Sequence, residues 1–103
     1  MKKWDPNWTA EKVGSDVVRY DNYWAGAKKA CDELGMSLPD KSKLQSIYQA
    51  RKKDSSLGLP TSGWFVSSSE VGGYYVNDVH FASGSTSNNL KFGSTFKVLC
   101  VGD

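Results

Sequence analysis

Apolar residues fall into two regimes along this chain. Between residues 21 and 51 they recur at helical spacing, and from residue 63 onward they sit in short runs broken by Gly, Ser and Asn. In the first regime Trp24, Ala27, Cys31 and Leu34 stand at i, i+3, i+7 and i+10, one buried face of a helix. Asp21 or Asn22 supplies the N-cap, the helix runs through Leu34, and Gly35 stops it as the residue after the C-cap. Lys28, Lys29, Asp32 and Glu33 occupy the rest of the circumference. Met36 to Pro39 is extended, because the residue before a proline avoids the helical region. Asp40 then caps a second helix to about Arg51, with Leu44, Ile47 and Tyr48 as its apolar stripe. Lys52 to Pro60 reads as a loop.

The second regime is β in character. Trp64-Phe65-Val66 is a short apolar run, followed by the polar segment Ser67 to Glu70. Gly72-Gly73 makes a turn, and Tyr74 to Phe81 alternates as a strand. Ser83-Gly84 signals a hairpin, Asn88-Asn89 an irregular tip and Gly93 a further break. Phe96 to Val101 closes the chain as a strand carrying Cys100. Ahead of the helices, Val17 to Tyr20 is a short strand. Residues 1–16 are polar and irregular, with Trp4 and Trp8 as the only anchors. The plan is one α+β domain over residues 17–103: an early strand, two helices, then about four short strands.

Composition narrows the class. With 103 residues there is room for one core only. Four Trp, five Tyr and four Phe against a net charge of +2 exclude disorder. No run reaches the roughly 18 apolar residues of a membrane span. Thirteen basic residues against 11 acidic ones argue against nucleic-acid binding by charge alone. Met1-Lys2-Lys3 has the charge of a signal-peptide start, but Trp4-Asp5-Pro6-Asn7 follows instead of an apolar stretch. That leaves a cytoplasmic protein, or a soluble portion of a longer exported chain. Two cysteines and one histidine cannot build a structural zinc site. Cys31 and Cys100 fit either one long-range disulfide or two buried free thiols.

Three groups of residues carry candidate chemistry. Ser67, Ser69, Glu70, Tyr74, Tyr75, Asn77, Asn88 and Asn89 form a polar, aromatic-bearing set on loops, and Tyr with Ser and Asn makes an adaptable contact surface. Lys41, Lys43, Arg51, Lys52 and Lys53, with Lys28 and Lys29, gather basic charge that suits a polyanion, although Asp32, Glu33, Asp40 and Asp54 interleave with it. His80 lies among serines, but no third group is placed to orient it as a catalytic base. The simpler reading is a structural strand histidine, and the chain reads as non-enzymatic.

The order Tyr23-Trp24-Ala25, Ala27, Ala30-Cys31, Leu34-Gly35-Met36, Leu38-Pro39, Leu44, Ile47-Tyr48 resembles bacterial C-type-lectin-like domains. It is most similar to the C-terminal domains of the Lcl family of Legionella collagen-like adhesins. Trp64 to Glu70, Phe81-Ala82-Ser83-Gly84, Lys91 and Val98-Leu99-Cys100-Val101 continue that resemblance over residues 17–103. The resemblance implies a C-type-lectin-like fold with two helices on short antiparallel strands, pinned by a disulfide between Cys31 and Cys100. Its core would hold Trp24, Leu34, Leu44, Ile47, Trp64 and Phe81. It implies an extracellular, cell-surface or pilus setting. The function it implies is non-catalytic adhesion, recognising a glycan or host protein through loops at about 67–89. The alternative is a minor pilin subunit that contacts neighbouring subunits and no outside ligand. Related domains include the hypervariable proteins of diversity-generating retroelements, whose variable regions share the Ser, Asn and Tyr richness of residues 67–97. Formylglycine-generating enzymes share a related fold but need free cysteines. In sugar-binding relatives a Trp-Asn-Asp strand motif helps hold calcium. Asn77 and Asp78 match two of its three residues and could supply part of a calcium site with Glu70, but the proline-containing partner loop is missing, and solvent-facing strand positions are the simpler reading. No other cofactor, no nucleic acid and no membrane insertion is expected.

Overall fold

A computed structural model describes residues 5–13, 17–92 and 97–102. The N-terminal segment is more ordered than its polarity suggests. Pro6–Thr9 makes a 3-10 turn capped by Asp5, and strand β1 (Glu11–Lys12) pairs antiparallel with β2 (Val18–Arg19). Val13, next to β1, is fully buried, so the expectation of an irregular stretch is corrected within the described residues. Trp8 is half-buried, and Trp4 lies outside the described residues.

Helix α1 (Tyr23–Glu33) is capped by Asn22, whose side-chain oxygen accepts from the Ala25 N–H at 3.1 Å. The same buried amide donates to the Lys12 carbonyl at 3.0 Å and so ties the helix start to β1. The helix ends as expected on Gly35, at φ +69°. Leu34 does not join the core; it is the C-cap and 45% exposed. Its N–H bonds the Cys31 carbonyl three residues back, a 3-10 closure that rotates the side chain off the Trp24–Cys31 face.

Helix α2 (Lys41–Lys53) starts on Asp40, which accepts from the Lys43 N–H at 2.7 Å. It runs beyond Arg51, so Lys52 and Lys53 belong to its last turn and not to the following loop. Cations there suit the negative end of the helix dipole. A second 3-10 turn, Ser55–Leu57, follows.

Strands β3 (Trp64–Val71), β4 (Tyr75–His80) and β5 (Thr86–Leu90) form an antiparallel sheet in that order. Two polar stretches expected as loop and tip are therefore strand. Ser67–Glu70 continues β3 through an irregularity: Val66 faces Asp78 and Glu70 faces Val76, so residues 67–69 oppose Asn77 alone. Asn88 and Asn89 sit inside β5, paired with Asn77 and Val76. The expected closing strand is reduced to two bridges, Lys97 parallel to Phe65 and Val101 antiparallel to Ser37. Gly93 and Phe96 lie outside the described residues.

Consecutive strand residues face opposite ways, and that builds two core clusters. Val66 and Val76 pack with Trp24, Ala27, Cys31 and Leu38, joined by Val98 and Cys100. Phe65 and Val79 pack with Leu44, Tyr48 and Phe81, joined by Ile47 and Leu99. The sheet and the C-terminal segment thus lie between the two helices. Trp24, Leu44 and Phe81 are buried as expected and Ile47 is half-buried. Trp64 is not core: 41% exposed, it stacks on its cross-strand partner His80 with ring centroids 4.7 Å apart. Cys31 and Cys100 form a disulfide with Cα atoms 5.4 Å apart, linking α1 to the C-terminal segment.

Candidate functional site

The register of the sheet defines one open surface. Val71 faces Tyr75, Tyr75 faces Leu90, and Asn77 faces Asn88, so these five side chains share a sheet face. Further along that face Phe65 and Val79 are covered by α2. Beyond the helix the face is open: Tyr75 is 46% exposed and Val71 and Asn88 are exposed as well. Asn77 donates from Nδ2 to Asn88 Oδ1 at 2.7 Å, which fixes both amides in a cross-strand pair.

The turn beside this face adds a second aromatic. Tyr74, 42% exposed, meets the Phe92 ring edge-on at 6.3 Å. The Arg19 guanidinium lies 4.1 Å above the Phe92 ring and is held by Asp21 through bonds of 2.9 and 3.0 Å. Those bonds keep the Asp21 carboxyl below the usual carboxylate range. Arg19 and Phe92 were not legible as site residues, because each belongs to a segment whose sequence gives no hint of the other.

Three of the eight residues expected on the surface share that face, Tyr75, Asn77 and Asn88, and Tyr74 stands in the turn beside it. The others are used differently. Ser67 is fully buried; its hydroxyl donates to the Asn77 carbonyl at 2.8 Å and accepts from the Ser69 N–H at 3.1 Å. Its own carbonyl accepts from Trp24 Nε1 at 2.8 Å. Ser69 is half-buried and accepts from the Lys41 N–H at 3.0 Å, closing the start of α2. Glu70 and Asn89 flank Val76 across the sheet and so lie on the opposite face. Glu70 stands 3.7 Å from Lys91 Nζ, and Asn89 bonds Asp78 at 3.5 Å.

Asn77 and Asp78 cannot converge on one calcium ion, because adjacent strand residues point to opposite faces. Among the described residues no three of His, Cys, Asp and Glu gather as a metal would require. Asp78 is instead a buried carboxyl, and desolvation raises its pKa against the lowering bond from Asn89.

The basic residues do not form one patch. Lys41 and Lys43 lie at the first turn of α2 and Arg51, Lys52 and Lys53 at its last, so the ends stand roughly 18 Å apart along the axis. Arg51 is committed to the fold: it donates to the Phe81 carbonyl and lies over Tyr48. Lys52 also lies over that ring. His80 Nδ1 is 3.1 Å from Ser83 Oγ, which donates to Ser85 Oγ at 2.9 Å. Among the described residues no carboxylate bonds the ring.

An α+β domain with antiparallel strands and one long-range disulfide is the class these features define. A family model described as "Domain of unknown function (DUF8780)" matches residues 14–102, and the chain belongs to that family. No curated protein and no solved structure matches it. Among the described residues no helix is long and apolar enough to cross a membrane.

Proposed function

We propose that this chain is a non-catalytic recognition module with a C-type-lectin-like fold, from a bacterial surface or pilus protein. It recognises a glycan or host protein through the sheet face and turn that carry Val71, Tyr74, Tyr75, Asn77 and Asn88. The observation that carries this reading is the open half of the sheet, where exposed Tyr75 stands beside a fixed amide pair and exposed Tyr74 lies in the adjoining turn. Tyrosine supplies contact area at low entropic cost, and paired amides supply directed donors and acceptors. The disulfide suits an oxidising, extracellular setting. Both cysteines are bonded, and among the described residues the His80 ring bonds the Ser83 hydroxyl and stacks on Trp64, which suits binding better than catalysis.

A glycan and glycosaminoglycan array tests the proposal, run with calcium and again with chelator on multivalently displayed protein. Binding of one ligand class, unaffected by chelation, is expected. Calcium-dependent binding would restore a metal role for Asp78, and a blank array would remove the glycan reading. A second reading, a pilus subunit contact, is favoured by β5, whose Thr-Ser-Asn-Asn-Leu sequence has none of the charges or prolines that usually guard a sheet edge. Concentration-dependent self-assembly together with a blank array is its signature.

A further inference from the structure

Beside the core stripe of α1 lies a second one. Ala25, Lys28, Lys29 and Asp32, at i, i+3, i+4 and i+7, line one wall of an open cleft of about 390 Å³. The facing wall is Met36 to Leu38 with Ser68 of the β3 irregularity, and Glu11 of β1 closes one side. The volume falls in the roughly 300–1,000 Å³ range of small-molecule sites.

The chemistry of the lining is specific in its balance. Lys29 is paired with Glu11 at 3.4 Å. Lys28 places its ammonium 3.9 Å above the Trp24 ring, and the Asp32 carboxylate has no ion-pair partner among the described residues. Two cations and two carboxylates sum to zero, so the lining as a whole favours an ion of neither sign. A neutral molecule dense in hydroxyls fits better. Lys28 can donate to it and Asp32 can accept from it through charge-assisted hydrogen bonds. Ser37 and Ser68 offer hydroxyls of both kinds, and the buried Ala25 and Leu38 give a small apolar floor.

We infer that this cleft binds a small neutral polyhydroxylated ligand of the saccharide class. The site is separate from the Tyr74–Asn88 surface and does not rest on that surface's function. The test is an amide-resolved NMR titration of the intact disulfide-bonded chain with methyl glucoside, N-acetylglucosamine, glucuronate and inorganic phosphate. Saturable shifts at Ala25, Lys28, Asp32, Ser37 and Ser68 are expected from the neutral sugars. Asp32→Ala or Lys28→Met should weaken them at least about fivefold, the loss of one charge-assisted bond. Tyr75→Ala should leave them unchanged. Both α1 positions are exposed, so these variants keep the fold. The inference is overturned if no neutral sugar gives saturable shifts at tens of millimolar. It is equally overturned if only glucuronate or phosphate does, or if Asp32→Ala and Lys28→Met bind as the parent does.

Discussion

Asp78 is 3% exposed, with one carboxyl oxygen 3.5 Å from Asn89 Nδ2 and the other without a hydrogen-bond partner among the described residues. Burial raises its folded-state pKa above the unfolded value, so the folded chain holds the proton more tightly. Its contribution to stability is therefore full below the unfolded pKa of about 3.9 and is lost as pH rises through the raised folded value. Asp78→Asn removes the charge but keeps an acceptor for Asn89. We expect it to raise stability at neutral pH by about 1 kcal/mol, or roughly 4–8 °C in melting temperature, with the gain vanishing in acid. Thermal melts of both chains across pH check this, and a less stable variant at neutral pH would contradict it. Gly84 makes the opposite point. Its φ is +77°, and an added Cβ would stand 2.6 Å from the Tyr48 ring that packs on α2's side of the sheet. Gly84→Ala combines an unfavourable backbone with a clash and should cost about 1–3 kcal/mol, measurable by denaturant unfolding.

At the scale of elements, the helices were legible in the sequence and half of the sheet was not. Trp24, Ala27 and Cys31, like Leu44 and Tyr48, bury one face of a helix, and that burial leaves a helical period in the apolar residues. Ser67–Glu70 and Asn88–Asn89 leave no such trace. These strands are held by side-chain bonds that take over from burial: Ser67 to the Asn77 carbonyl, Asn77 to Asn88, Asn89 to Asp78. A polar stretch of that kind reads as loop to any rule based on alternation. The candidate surface was legible in composition, through its tyrosines and asparagines. Its partition was not, because the irregularity in β3 decides which serines turn inward. Ser67→Ala should expose the importance of that irregularity. It strips the half-buried Ser69 N–H of its acceptor and should cost about 1–3 kcal/mol by chemical denaturation. A neutral effect would mean the kinked course of β3 does not depend on the hydroxyl.

Over the whole molecule, two modest clusters share one sheet, and a single covalent link spans 69 residues between α1 and the C-terminal segment. Among the described residues the C-terminal segment pairs through isolated bridges and packs Val98 and Leu99 against the two clusters, and the disulfide is its covalent anchor to α1. Closing a loop of that length stabilises by about 4 kcal/mol in the chain-entropy view. Reduction under native conditions should therefore lower the melting temperature by well over ten degrees, followed by circular dichroism. An unchanged melt would assign the anchoring to the Ser37–Val101 bridge instead. The same architecture explains the open surface. Helix α2 covers Phe65 and Val79 but not Tyr75, Asn77 and Asn88, leaving half of one sheet face to solvent on a cross-linked scaffold.

That open half is the centre of the functional account, and array binding of the parent chain beside Tyr75→Ala and Asn88→Ala tests it most directly. Both side chains are exposed and neither belongs to a core cluster, so the variants keep the fold. The parent should bind one ligand class and each variant should bind it at least about tenfold more weakly, the loss expected of a central contact worth over 1 kcal/mol. Undiminished binding by both variants, or no binding by the parent at high avidity, would contradict it.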